Sequence, residues 1–246
     1  MKHLQKLSMA FLAILMGMNF AACSDEDNNE GGQGGNAPGT SGKQLVWFRE
    51  GGAGEDEDYV DMHYGEDGWL TTSYSSFGSA DDINYRYESN GGKYTLATSY
   101  WNDGGIGCEY TFDNLLRRMD DEPCEYDAEG HLTSCGEYTF VWEGGNIVRS
   151  EGGYQGTVEY TYYTDRENKS PIDTDPLINV LGGTDFLLVA HPQLLGTWSK
   201  NLVKTMTTSS NGGNPITWEY TLDSDGYVSG VKRTDRDYYS YEYRWE

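Results

Sequence analysis

The side chains of this 246-residue chain that can do chemistry are its histidines, its thiols and its carboxylates. Histidine stands at positions 3, 63, 131 and 191. No pair has metal-ligand spacing, and H-E-x-x-H is absent. His131 follows a glycine turn, His63 precedes one, and His191 precedes Pro192. Asp223-Ser224-Asp225-Gly226 opens like a calcium loop, but the bidentate Glu due six residues after the Gly is missing, and Lys232 stands there. Turn formation accounts for that string. With 40 acidic residues no acid/base pair stands out, because glycoside hydrolysis needs two carboxyls at a defined separation in space. There is no G-x-S-x-G nucleophile elbow. The sequence therefore assigns no catalytic residue, no metal and no cofactor, and it leaves the binding residues open.

Cys108, Cys124 and Cys135 allow one bridge and leave one thiol over. A two-residue turn at Glu129-Gly130 would set Cys124 opposite Cys135. A longer loop with a Gly bulge, as Asp127-Ala128-Glu129-Gly130 suggests, would put them out of register. The second pattern leads us to expect free, buried thiols.

Cys23 is a thiol of another kind. Lys2 and Lys6 precede an apolar run over residues 7–18, and Ala21-Ala22-Cys23 follows. A basic start, a short apolar core and small residues describe a signal peptide over residues 1–22. The run is shorter than the about 20 residues that span a bilayer. Ala21-Ala22-Cys23 resembles the lipobox of bacterial lipoproteins, which implies lipidation of Cys23 as the new N-terminus. Ser24-Asp25-Glu26-Asp27 resembles the acidic export signal that carries Bacteroidetes lipoproteins to the cell surface. The implied location is the outer membrane, exposed outside. Residues 23–43 then form the lipidated Cys and a flexible acidic tether, rich in Gly and Asn, with an r.m.s. span of about 25 Å. Residues 44–246 form a single β domain.

Loss of Lys2 and Lys6 with the signal peptide takes the formal charge from −23 to −25. Such a surface repels nucleic-acid phosphates and anionic lipid headgroups. Nucleic acid is excluded as a partner, and the membrane is reached through the lipid anchor only. A glycan or protein partner at the cell surface remains, and the oligomeric state is not readable.

The elements that position these groups are strands. From Leu45 onward Tyr, Thr, Val and Trp alternate with polar residues at period two. Ile83, Tyr85 and Tyr87 share a face, as do Tyr138, Phe140 and Trp142; Val158, Tyr160 and Tyr162; Trp218, Tyr220 and Leu222; and Tyr239, Tyr241, Tyr243 and Trp245. The string Y-G-E-D-G-W-L-T from Tyr64 returns as Y-D-A-E-G-H-L-T from Tyr126 and L-D-S-D-G-Y-V-S from Leu222. Each is a strand, a tight turn closed by Gly and a second strand. About a dozen to fourteen strands result, in a mainly β fold: a long antiparallel meander curled into a barrel-like or half-barrel sheet. Residues 173–195 interrupt it with short apolar helical turns, capped by Asp175 with Pro176 first in the helix. They should cover the concave aromatic face, with Phe186 central and Leu132, near a hairpin end, less critical.

The Y-x-x-D-x-D-G turn, the I-D-x-x-P-L-I segment at 172–178 and the aromatic C-terminal hairpin resemble a group of uncharacterised Bacteroidales lipoproteins with a porin-like fold. The resemblance spans residues 45–246, implies fold and compartment, and carries no site residues. A membrane-spanning barrel is not expected. The runs are shorter than the about 9–11 residues such strands need, they carry charge, and the sequence ends Trp245-Glu246.

The chain thus reads as a surface-tethered, non-catalytic scaffold that binds something outside the cell. Seven Trp and twenty Tyr supply an alternative, a carbohydrate-binding accessory of a polysaccharide uptake system, although alternation sends most of these rings to the core. A glycan-degrading enzyme ranks third. Cys23→Ala should abolish labelling with a fatty-acid analogue and release the protein from the membrane fraction. Replacing Asp25, Glu26 and Asp27 by Ala should leave it lipidated but protected from protease added to intact cells. Membrane retention of the first variant, or a wild type already protected, overturns these assignments.

Overall fold

A computed structural model describes residues 43–51, 58–76, 81–153, 155–181, 186–209, 213–234 and 240–246. Cys23, Ser24, Asp25, Glu26 and Asp27 lie outside these residues, as does the tether up to residue 42.

Sixteen strands follow in chain order. They are β1 (Leu45–Gly51), β2 (Asp58–Tyr64), β3 (Leu70–Ser75), β4 (Asp81–Asn90) and β5 (Lys93–Trp101). Then come β6 (Ile106–Phe112), β7 (Leu116–Met119), β8 (Glu122–Tyr126), β9 (Leu132–Cys135), β10 (Tyr138–Glu143) and β11 (Asn146–Gly152). The last are β12 (Gly156–Glu167), β13 (Asn201–Thr208), β14 (Pro215–Leu222), β15 (Val228–Arg233) and β16 (Ser240–Trp245). Each pairs antiparallel with the next, and β1 pairs with β16, so the meander closes into a complete barrel. Closure removes both sheet edges. The count exceeds the expected dozen to fourteen because β7 and β9 are four residues long, too short for alternation to separate them.

Inward positions are apolar and outward ones charged. Ile83, Tyr85, Phe140, Val158, Tyr160, Trp218, Tyr241 and Tyr243 are buried, while Arg86, Glu151, Glu159, Lys204, Glu219 and Glu242 are exposed. Leu222 keeps the phase of Trp218 and Tyr220 and pairs with the buried Val228, but it is exposed at the strand end. Tyr239 lies outside the described residues.

The repeated string builds the same device three times. Gly65 N–H donates to Trp69 O, Asp127 N–H to His131 O and Asp223 N–H to Tyr227 O, closing each turn. Gly68, Gly130 and Gly226 take φ of 78°, 84° and 86°, where a Cβ would be strained. Register then shifts by one, leaving Thr71, Thr133 and Ser229 as bulge residues. Their hydroxyls donate to His63 O, Glu125 O and Thr221 O across the pair. The next residue inward, Leu70, Leu132 or Val228, is fully buried.

The bulge at Thr133 corrects the thiol expectation. The turn alone is out of register, pairing Tyr126 with Leu132, but the extra residue restores it, and Cys124 pairs with Cys135. The two form a disulfide, and Cys108 keeps its thiol.

The long β12–β13 connection fills the interior. It holds α1 (Pro176–Leu181), α2 (Leu187–Ala190) and a 3₁₀ turn (Pro192–Leu195). Asp175 caps α1, its Oδ1 accepting from Leu177 N–H at 3.1 Å. Leu177, Ile178, Leu181, Phe186, Leu187 and Val189 are all buried, and the Phe186 ring meets Phe48 edge-on at 5.9 Å. The cover expected for a concave face is therefore a plug inside a closed barrel.

Phe186→Ala should cost about 3–5 kcal/mol, read as a lower urea midpoint. Leu132 has no exposed surface, so the expectation of a mild effect there is corrected: Leu132→Ala should cost about 2–5 kcal/mol. Val141→Ala, on the outer face, should stay close to wild type. A wild-type midpoint for Phe186→Ala would refute the plug.

Candidate functional site

Strand direction sorts the chain's functional groups between two rims. Odd strands start and even strands end at the rim that carries the three repeated turns, both ends of the barrel sequence and the mouth of the plug. Here Gln44 and Glu246 exchange backbone hydrogen bonds of 2.6 and 2.9 Å. Rings at the ends of even strands donate to carbonyls at the starts of odd ones: Tyr64 to Leu45, Tyr87 to Leu70, Trp142 to Leu132, Tyr162 to Ile147, Tyr220 to Val203 and Trp245 to Val228. These rings are structural.

The Asp223-Ser224-Asp225-Gly226 string is a turn, as expected, and it binds a cation of the chain's own. Lys43 Nζ lies 2.8 Å from Asp223 Oδ2 and 2.6 Å from Asp225 Oδ2. Asp223 and then Asp225 raise the Lys43 ammonium pKa above its ordinary value. Asp223 is held below the usual carboxylate value: partial burial opposes this, but Lys43 and the Tyr227 and Asp225 N–H groups outweigh it. At the sister turn the His131 ring stacks on Trp142 at 4.3 Å, and its Nδ1 is 2.8 Å from Asp127 Oδ2. His63 is exposed on β2.

The plug carries titratable groups into the core. His191 is buried and accepts from Leu70 N–H through Nε2 at 3.0 Å, and burial pulls its pKa down to about 3. It is a neutral acceptor that ties the plug to β3. Burial pushes Asp175 up to about 7, opposed by hydrogen bonds from Leu177 and Ser199. Burial also holds Asp173 well above the ordinary value, with Glu50 adding to the effect, while Tyr243 OH donates to Asp173 Oδ1 at 3.3 Å. Asp175 Oδ2 accepts from Asn168 Nδ2 at 3.2 Å, and Tyr220 OH meets Thr174 at 2.9 Å. Both carboxyls are enclosed by the packed interior, where they anchor the plug.

The outer wall carries a different chemistry on one side. Trp47 on β1, Tyr59 on β2, Tyr74 on β3 and Tyr100 on β5 alternate with the inward Phe48, Val60, Ser73 and Ser99, and so point outward. Trp47 lies beside Asp61, Asp61 beside Tyr74, and Tyr74 beside Asp82, in one row across the sheet. Asn84 flanks Tyr100. The Trp47 ring has Arg49 at 5.8 Å and Arg244 at 5.5 Å, and Tyr100 has Arg86 at 4.5 Å. Tyr59 and Tyr74 lie 5.6 Å apart. Among the described residues, the outer faces of β6 to β11 and β13 to β16 hold no aromatic ring. Alternation hid Tyr74 and Tyr100 because their inward neighbours Ser73 and Ser99 are polar. Those serines pair inside instead, Ser73 with Tyr85 OH at 3.1 Å and Ser99 with Cys108 N–H at 2.8 Å.

No protein-family model matches the chain and no curated protein matches it. Among solved structures it is similar to a porin-like protein from Bacteroides uniformis ATCC 8492, with a TM-score of 0.47 and 14% identity over 88% of this chain and 100% of that one. It is also similar to a porin-like protein from Bacteroides vulgatus ATCC 8482, with a TM-score of 0.45 and 11% identity over 83% of this chain and 99% of that one.

The buried acids set a pH dependence. Asp175 holds a proton in the folded state up to about pH 7 but releases it near 3.9 when unfolded, so its contribution is full below about pH 4 and is lost as pH rises through 7. The span corresponds to on the order of 4 kcal/mol. His191 slopes the other way, losing its contribution as pH falls from about 6.5 towards 3. Comparison with a variant isolates the acid. Asp175→Asn, which can still cap α1, should gain stability relative to wild type progressively from pH 4 to 7. A pH-independent difference in urea midpoint would show that Asp175 is ionised in the barrel.

Proposed function

We propose that this protein is a non-catalytic binding module, tethered to the outer membrane by lipid on Cys23 and exposed at the cell surface, whose ligand is a carbohydrate. The observation that carries this reading is the row of outward rings on β1, β2, β3 and β5. A ring on the outer face of a sheet gains nothing from the core, so a face that no neighbouring guanidinium covers can take the C–H face of a pyranose. Asp61, Asp82 and Asn84 supply acceptors and donors between the rings for sugar hydroxyls. Arg49, Arg86 and Arg244 stack on the same rings and can hydrogen-bond sugar oxygens from their edges. The chain's charge of −23, or −25 after loss of the signal peptide, disfavours polyanions, so the expected ligand is a neutral glycan.

Two features argue for tethering over insertion of the barrel wall. Outward charges such as Glu151, Glu159, Lys204 and Glu219 replace the apolar band that lipid requires. Lys43, at the end of the acidic tether, is held at one rim by Asp223 and Asp225, so an anchor at Cys23 would set that rim towards the membrane and leave the wall in water. An enzyme is not favoured, because Asp173 and Asp175 sit inside the packed interior and reach no cleft from which to serve a substrate.

Glycan-array screening of the purified full chain should identify a neutral oligosaccharide. Trp47→Ala and Tyr100→Ala should each weaken its binding about tenfold or more, equivalent to about 1–2 kcal/mol per ring, with the urea midpoint nearly unchanged. Undiminished binding by both variants would move the site elsewhere. An empty array together with protein capture on the same face would replace the carbohydrate with a protein ligand.

A further inference from the structure

We propose that the β8–β9 turn is a binding site for a divalent transition metal, Zn²⁺ or an ion of like preference, with Asp127, Glu129 and His131 as ligands. The donor atoms of these three side chains all lie within 4.8 Å of one another. Asp127 Oδ2 and His131 Nδ1 are hydrogen-bonded at 2.8 Å, so the two atoms already stand near the about 3 Å that separates neighbouring donors around an ion with bonds of about 2.1 Å. A mixed set of one imidazole nitrogen and two carboxylates suits zinc better than calcium or magnesium, which prefer all-oxygen shells.

An independent observation comes from the sister turn. Asp223 and Asp225 occupy the positions of Asp127 and Glu129, on a turn with the same closing hydrogen bonds and the same positive-φ glycine. Between them sits a cation, the Lys43 ammonium, within 2.8 Å of each carboxylate. The geometry of this turn, with acids at its first and third positions, thus already receives positive charge at that place. In the β8–β9 turn no Lys or Arg among the described residues pairs with Asp127 or Glu129, and the fifth position holds imidazole where the sister turn has Tyr227. The remaining copy has Gly65 first and Trp69 fifth, and so lacks two of the donors. One copy of three therefore carries a full ligand set on a shared scaffold.

The site is organised before any ion arrives. Asp127 Oδ1 is fixed by the N–H groups of Glu129 and His131 at 3.0 and 2.9 Å, which turns Oδ2 to His131 Nδ1, where an ion would take the place of the shared proton. Stacking on Trp142 holds the imidazole plane. Glu129 is exposed, and its carboxylate takes no part in closing the turn, so it can swing in as the third ligand. Binding displaces any proton on Nδ1 to solvent. This site is remote from the outward rings and does not depend on the carbohydrate reading.

The test is equilibrium dialysis of the full chain in detergent against Zn²⁺ alone, with Ca²⁺ as comparator. One zinc per chain should bind, and calcium should not compete. Glu129→Gln and His131→Gln should each weaken zinc binding by about tenfold or more, while His63→Gln leaves it intact. Glu129→Gln touches no structural hydrogen bond, so its result stands even where His131→Gln disturbs the turn. Absence of stoichiometric zinc, or equal retention of zinc by both variants, overturns the proposal and assigns any uptake to the general acidic surface.

Discussion

A closed sheet of sixteen strands with rings on its inner face has to be filled. At that strand number porins leave an aqueous channel, and inward Tyr, Trp and Phe side chains would stand wet. The insertion between β12 and β13 resolves this by packing α1, α2 and the following 3₁₀ turn inside the wall. Everything else in the barrel follows from that filling. Of the polar groups that the plug carries inward, Asp175, His191 and Thr174 find partners in Leu177 and Asn168, Leu70 and Tyr220 respectively, while Asp173 Oδ2 is buried without one.

Much of this was legible in the sequence, because the signals were local. Alternation of Ile83, Tyr85 and Tyr87 marked one inward face, Asp175-Pro176 marked the helix start, and the thrice-repeated glycine turn marked three hairpins. Three other features depend on relations that no local pattern carries. The Cys124–Cys135 bridge hangs on an extra residue, Thr133, which shifts register by one place after the turn has set it. The latch between Lys43 and Asp223 joins residues 180 apart. The outward rings were concealed by the small serines beside them, since Ser73 and Ser99 look like surface residues until their inward partners are known. The bulge hydroxyls are an intermediate case. Thr71, Thr133 and Ser229 were visible as a repeated polar position, but their task, capping the carbonyl that a register shift leaves behind, needs the pairing to be seen.

The repeated turn also shows how one backbone solution can serve different ends. Closing hydrogen bonds, a left-handed glycine and a bulge are common to all three copies, so the side chains at the first, third and fifth positions are released from structural duty to different degrees. In one copy Asp67 receives Tyr94 OH at 3.0 Å and Trp69 enters the core. In another, Asp223 and Asp225 hold Lys43. In the copy between them, Asp127 and His131 pair with each other.

Closure of the barrel by its first and last strands has a mechanical consequence. Lys43 and Gln44 lead into β1 at the rim, and β1 is hydrogen-bonded on both sides, to β16 and to β2. A pull on Lys43 along the strand axis would load both ladders in shear, so that many bonds must break together and no zipper can open from one end. The Lys43 pair with Asp223 and Asp225 bears the first of that load. A domain pulled along that strand is thereby gripped at its least peelable element.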